Sequence, residues 1–138
     1  GGTIIAFLGG LHYWWPKMAG RTYSERWALA AAVLIILGFN ATFLPQFLLG
    51  NMGMPRRYYD YLPEFTALNV VSTVGSWILV TGIIIMIVNL VQSARRGEKA
   101  PKNPWGGTTL EWQTASPPSL HNFDEEPVIP AGGPYDHS

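Results

Sequence analysis

The sequence predicts an all-α membrane protein with an extended polar tail, and three observations predict it. Two uncharged apolar runs, residues 27–49 and about 65–91, are each long enough to cross a hydrocarbon core of about 30 Å at about 1.5 Å per helical residue. Charged residues make up only 13% of the chain, against about 25% in an average soluble domain. After Gln92 the composition turns abruptly from aliphatic to polar and Pro/Gly-rich.

The remaining bulk numbers exclude other classes. Net charge is zero, so no basic field points to nucleic acid. With no cysteine there is neither a disulfide nor a thiolate metal site. The chain opens at Gly1, inside an apolar run, with no charged leader and no small-residue cleavage site. That opening reads as the cut edge of a longer polypeptide.

The elements follow in chain order. Residues 1–15, "GGTIIAFLGGLHYWW", are too short to span and read as the C-terminal half of a membrane helix. Gly1, Gly2, Gly9 and Gly10 suit close backbone approach in a bundle. His12, Tyr13, Trp14 and Trp15, ahead of Pro16 and Lys17, form an interfacial aromatic belt. Residues 16–26 are a polar loop. Residues 27–50 form a spanning helix that Pro45 should kink, with Asn40, Thr42 and Gln46 as its polar side chains. Residues 51–63 are a loop. Residues 64–92 form a second span, with Asn69, Ser72, Thr73 and Ser76 in its first half and aliphatic residues in its second. The polar side chains of both spans thus gather toward the 51–63 loop. Residues 93–138 sustain no helical or strand period and read as an extended surface tail anchored by Trp105, Trp112 and Phe123.

Charge sets an expected orientation. Lys17, Arg21 and Arg26 precede the first span, and Arg95, Arg96, Lys99 and Lys102 follow the second. The positive-inside rule puts both regions in the cytoplasm and the 51–63 loop outside. Arg56 and Arg57, in "GNMGMPRRYYDY", are the only basic residues in that loop and break the bias. Two readings stand. One is a solvated pair, or an ion pair with Asp60 or Glu64, which is weak when exposed. The other is a site for a planar or phosphate-like anion, because a guanidinium fork matches a carboxylate bidentately.

At these residues a resemblance enters. Residues 38–61, "GFNATFLPQFLLGNMGMPRRYYDY", closely resemble the next-to-last helix and following loop of subunit I of heme–copper cytochrome c oxidases. Residues 1–21, "GGTIIAFLGGLHYWWPKMAGR", resemble the end of that family's tenth helix, and residues 103–123, "NPWGGTTLEWQTASPPSLHNF", its bacterial aa3-type tail. The resemblance covers essentially the whole chain in order. It implies the last three helices of a twelve-helix bundle, the first of them truncated. It implies that Arg56 and Arg57 hydrogen-bond heme propionates on the outer side of the membrane. Gln46, near the same loop, reads equally as a cofactor contact or as an interhelical hydrogen-bonding residue. It implies heme a, heme a3 and copper B in the complete subunit, which oxidises cytochrome c, reduces oxygen to water and pumps protons. The implied partners are the upstream part of subunit I, subunits II and III, cytochrome c and membrane lipid. The implied location is the bacterial inner membrane, with the loop periplasmic and the tail cytoplasmic.

No metal ligand of that family falls within this chain. His12 lies outside the family's H-x-H ligand pair, which would fall just before Gly1, and reads as interfacial. His121 and His137 sit in the polar tail without a partner at ligand spacing. The fragment alone is therefore expected to be inactive. In some relatives the backbone around Tyr58–Tyr61 helps bind an alkali or alkaline-earth ion. Here Tyr59 stands where those relatives carry a small hydroxyl residue, and Asp60 is expected to orient an arginine or cap a turn. Asn40 and Thr42 read as interhelical contacts. Phe43, Phe47 and Phe65 read as packing residues that could also meet a porphyrin face.

Composition and topology alone also fit a non-enzymatic membrane anchor or assembly subunit with two spans and an interaction tail. The paired arginines discriminate, since an anchor needs none on the outer face. A small channel or transporter unit is the weakest reading, because neither span carries a charge.

Overall fold

A computed structural model describes residues 1–123 and 127. Three α-helices carry the fold: α1 (Gly2–Ala19), α2 (Glu25–Asn51) and α3 (Thr66–Arg96). Two short 3-10 turns, Pro63–Phe65 and Leu110–Trp112, complete the regular structure, and no strand occurs among the described residues. The chain divides into two compact units. One is Glu25–Asn89; the other joins Gly1–Ser24 to the described residues of Leu90–Ser138.

The first of these units is a helical hairpin built for an apolar solvent. α2 and the stretch Pro63–Arg96 have mean hydropathies of 2.1 and 2.3 and are long and apolar enough to cross a membrane. Their large side chains face outward, as at Phe47, 75% exposed, and Trp77, 66% exposed. What lies between the helices is small or polar. On α2 the inward stripe is Ala31, Ile35, Gly38, Pro45 and Leu49, at steps of three, four and seven. On α3 it includes Asn69, Ser72, Gly75, Gly82 and Met86. A Cβ on Gly38 would lie 2.3 Å from the Leu79 amide nitrogen, and one on Gly75 would lie 2.5 Å from the Ala41 carbonyl carbon. Backbone approach this close needs glycine, as in membrane bundles generally. The helix runs through Pro45, whose ring removes one donor and crowds the preceding turn. There Ser72 Oγ donates to the Thr42 carbonyl at 2.9 Å.

The other unit packs the tail on α1. The sequence reading closed its first segment at Trp15, before Pro16. The helix instead continues through Pro16 to Ala19 and ends at Gly20, which caps it with a φ of 64° and an N–H that donates to the Pro16 carbonyl. An apolar stretch marks where lipid ends, whereas hydrogen bonding and capping mark where the helix ends. The same distinction extends α2 to 25–51 and α3 through Arg96, beyond the apolar segments 27–50 and 64–92. After Gly20 the chain pairs with the residues that follow α3. Thr22 N–H donates to the Glu98 carbonyl, Ala100 N–H to the Gly20 carbonyl, and Arg21 Nη1 to the Gly97 carbonyl at 2.6 Å. Ser93 joins the two ends, accepting from Trp15 Nε1 and donating to the Thr22 carbonyl, both at 2.9 Å.

Candidate functional site

The loop between α2 and α3 forms a cleft of about 770 Å³ whose lining includes Gln46, Phe47, Leu49, Arg56, Arg57 and Tyr58. Its construction starts at the end of α2. The amides of Met52, Gly53 and Met54 donate to the carbonyls of Leu48, Gly50 and Leu49, so the last turn unwinds in place rather than ending abruptly. Gly53, at φ 92°, makes the reversal that a side chain would oppose. Arg57 makes the second reversal, at φ 57°, in the left-handed region that costs a non-glycine residue on the order of 1 kcal/mol. Asp60 Oδ1 accepts from the amide of the next residue, Tyr61, at 2.8 Å, while Tyr58 and Tyr61 meet edge to face at 5.6 Å.

Both arginines are exposed, and among the described residues neither meets a carboxylate. The structure brings neither Asp60 nor Glu64 to the pair. Two fixed positive charges therefore face the cleft beside an apolar wall of Phe47 and Leu49.

Gln46 lines the same cleft, but its amide turns inward. Nε2 donates to Ser72 Oγ at 3.0 Å and to Asn69 Oδ1 at 3.4 Å. Asn69, buried, also donates to the Phe65 carbonyl at 3.0 Å and reaches Met54 Sδ at 3.7 Å. Asn69 thus touches α2, the loop and the start of α3. Sequence reasoning placed Asn69 and Ser72 only as polar residues of a span. Their spacing of three, continued by Gly75, was the signal for one shared helix face. Asn40 and Thr42 correct the interhelical expectation: their side chains donate to Ile36 and Gly38, four residues back on their own helix. That is the usual escape for a polar side chain facing lipid. Phe65 is buried as a packing residue, while Phe43 and Phe47 are exposed.

The surroundings of two of the three histidines are described. His12 Nδ1 contacts the Leu8 carbonyl at 2.8 Å and its ring meets Tyr23 edge to face at 5.0 Å. His121 is exposed, and His137 lies outside the described residues. No group of three or more metal-ligating side chains occurs among the described residues.

The tail anchors converge on Tyr13. Trp112, 1% exposed, donates Nε1–H to Tyr13 Oη at 3.0 Å, and Trp105 donates to the Tyr13 carbonyl at 2.9 Å. Phe123, the third expected anchor, is half-buried. Lys17 was read as a loop cation. It is instead buried in the last turn of α1, where Nζ donates to the carbonyls of Thr114 at 2.6 Å, Lys102 at 2.8 Å and Ala115 at 3.3 Å. Burial, and secondarily the Lys102 ammonium, pull its pKa below the ordinary lysine value.

The family described as cytochrome c and quinol oxidase polypeptide I matches residues 1–78, more than half of the chain. The chain belongs to that family. Its relatives include cytochrome c oxidase subunit 1 of Synechocystis sp., 47% identical over 136 residues, which are 99% of this chain and 24% of that protein. Cytochrome c oxidase subunit 1 of Bacillus sp. is 42% identical over 132 residues, 94% of this chain and 21% of that one. The heme-copper oxidase subunit I+III of Aeropyrum pernix is 49% identical over 130 residues, 93% and 16% of the two chains. The chain spans about a quarter or less of the length of these relatives. The all-α membrane architecture, with the twelve-helix context expected from the sequence, is consistent with the polypeptide I family. This member is part of an integral membrane protein.

Proposed function

We propose that this chain is the C-terminal part of the catalytic subunit of a terminal respiratory oxidase. The complete subunit oxidises cytochrome c, reduces oxygen to water and couples this to proton pumping, in company with subunits II and III. The observation that carries the local role is the pair of uncompensated guanidinium groups on a cleft with an apolar wall. A porphyrin edge offers two carboxylates on a flat apolar body, so the residues present fit a propionate-bearing heme. The hemes and copper, held by ligands from the upstream part of subunit I, supply the electron transfer and oxygen chemistry when bound. This chain's share is positional and electrostatic. With the group bound, Arg56 and Arg57 would donate to propionate oxygens and Phe47 would cover apolar surface, while Gln46 ties the cleft to α3.

The charge pattern supports the orientation. The loop holding Arg56 and Arg57 lies on the periplasmic side of the bacterial inner membrane, and the tail lies in the cytoplasm. Positive charge beside the porphyrin favours the reduced iron, which carries one positive charge less. At an effective dielectric of about 20 and a separation of about 10 Å, one guanidinium contributes roughly 1.7 kcal/mol. That equals about 70 mV for a one-electron couple before further screening. In the assembled oxidase, Arg56→Met and Arg57→Met should each lower the heme a potential by tens of millivolts in a spectroelectrochemical titration, and Arg→Lys should lower it less. Parental potentials in both Met variants, with the hemes fully loaded, would falsify the propionate assignment.

A further inference from the structure

We propose that Arg95 and Arg96, with Gln92 and Val91, hold the headgroup of an anionic phospholipid at the end of α3. Together the four residues line a groove of about 360 Å³. Their spacing makes this one patch: 91 and 95, like 92 and 96, are four residues apart, and 92 and 95 are three apart, so all are helix-surface neighbours. All four are exposed, and no described residue pairs with either guanidinium.

Two cations of this unit, Lys17 and Arg21, make the contrast, while Lys99 and Lys102 are exposed but lie outside the groove. Lys17 spends its ammonium on three carbonyls, and Arg21 spends its guanidinium on the Gly97 carbonyl. Both are tied into the fold. Arg95 and Arg96 have no such use. A helix C-terminus favours cations, but that effect needs no groove, no apolar wall and no second arginine.

The chemistry of the groove selects its occupant. Two guanidinium forks match phosphate oxygens with charge and direction. Gln92 adds an amide that can donate to an ester carbonyl and accept from a glycerol hydroxyl. Val91, 44% exposed, offers apolar contact for the first methylenes of a chain. The sequence from 66 to 94 carries no charge, so the pair sits where an apolar span first meets headgroups. Free phosphate would use the arginines but neither Val91 nor this depth. A zwitterionic lipid would bring its own cation beside two others. Basic residues at such a junction contribute about fivefold each toward anionic lipid, about thirtyfold for the pair.

The test uses the intact oxidase, purified in mild detergent and re-equilibrated with vesicles of phosphatidylcholine alone or mixed with phosphatidylglycerol. Native mass spectrometry counts the lipid retained. Parent oxidase should retain phosphatidylglycerol over phosphatidylcholine. Arg95→Gln with Arg96→Gln should weaken that retention about thirtyfold, and Arg95→Lys with Arg96→Lys should weaken it less. Lys99→Gln with Lys102→Gln, outside the groove, should leave it in place, and oxygen consumption should be unchanged in every variant. Equal retention of the two lipids overturns the proposal. So does equal loss in the Lys99/Lys102 variant, retention that survives loss of both arginines, or binding of inorganic phosphate in place of lipid.

Discussion

Replacing Gln46 by leucine separates a residue that serves the cofactor from one that serves the helix pair. Leucine keeps most of the bulk and deletes the amide. Two contacts disappear: the donation to Ser72 Oγ at 3.0 Å and the longer one to Asn69 Oδ1 at 3.4 Å. Ser72 keeps its own donation to the Thr42 carbonyl, so its hydroxyl is not stranded. Asn69 Oδ1 loses this donor while its residue remains buried. A neutral hydrogen bond contributes about 0.5–1.5 kcal/mol, and interhelical bonds in membranes average about 0.6. A stranded acceptor adds part of its desolvation cost, discounted because the 3.4 Å contact was already weak. The sum is about 1–2 kcal/mol, or roughly 5- to 30-fold in the opening equilibrium.

The assay is paired. Thermal loss of the heme spectrum in detergent reports stability, and spectroelectrochemistry reports the potential. Gln46→Leu should denature at lower temperature, and its combination with Ser72→Ala should be non-additive by about 0.6 kcal/mol. Because glutamine is neutral, its potential shift should be smaller than that of Arg56→Met. Parental stability together with an arginine-sized potential shift would refute the helix-pair role and return Gln46 to the cofactor alone.

Two other outcomes follow from packing. Lys17→Met preserves the stem but strands the buried Thr114 carbonyl, while the carbonyls of the exposed Lys102 and Ala115 rehydrate. Hydrogen exchange in peptides covering 100–116 of the intact oxidase should speed up by roughly 5- to 150-fold, about 1–3 kcal/mol; unchanged protection there would show that Trp112 and Trp105 hold the tail without it. Gly75→Val puts a Cβ 2.5 Å from the Ala41 carbonyl carbon and 2.6 Å from the Thr42 nitrogen, neither of which can rotate away. The helices must part, at about 1–3 kcal/mol, and the assembled oxidase should denature at lower temperature; parental stability would show that the pair does not close on Gly75.

The legible part of this molecule is what depends on composition along one segment. The spans were readable because an uncharged run has few other uses. The arginine pair was readable because it broke a charge bias. Trp105 and Trp112 were readable as anchors because a tail without periodicity has little else to bury. Lys17 was not. Its partners are backbone carbonyls 85 to 98 residues away, and carbonyls carry no side-chain signature. The left-handed backbone at Arg57 was equally hidden, since the turn sits on an arginine and not on a glycine. Asn40 was expected to reach across the helix pair and Gln46 was read toward the cofactor as much as toward α3, yet the facing of the helix sends Asn40 to its own backbone and Gln46 across to α3.

That facing has a physical reading which reverses the rule for soluble helices. In water, the apolar stripe marks the inside of a helix pair. In lipid, apolar side chains gain nothing by turning inward, and the inside is marked by what lipid does not suit: backbone exposed at glycine and unspent amides and hydroxyls. Gly38, Gly75 and Gly82 mark the middle of the hairpin in this way, and Gln46, Asn69 and Ser72 mark its loop end. The polar end of the stripe is also the end that carries Arg56 and Arg57. Through Asn69 Nδ2 the network reaches Met54 Sδ, two residues before the pair, and through the Phe65 carbonyl it reaches the turn that starts α3. The loop is therefore tethered on both flanks by a cluster that the hairpin needs for its own packing, and the arginines inherit their placement from that cluster.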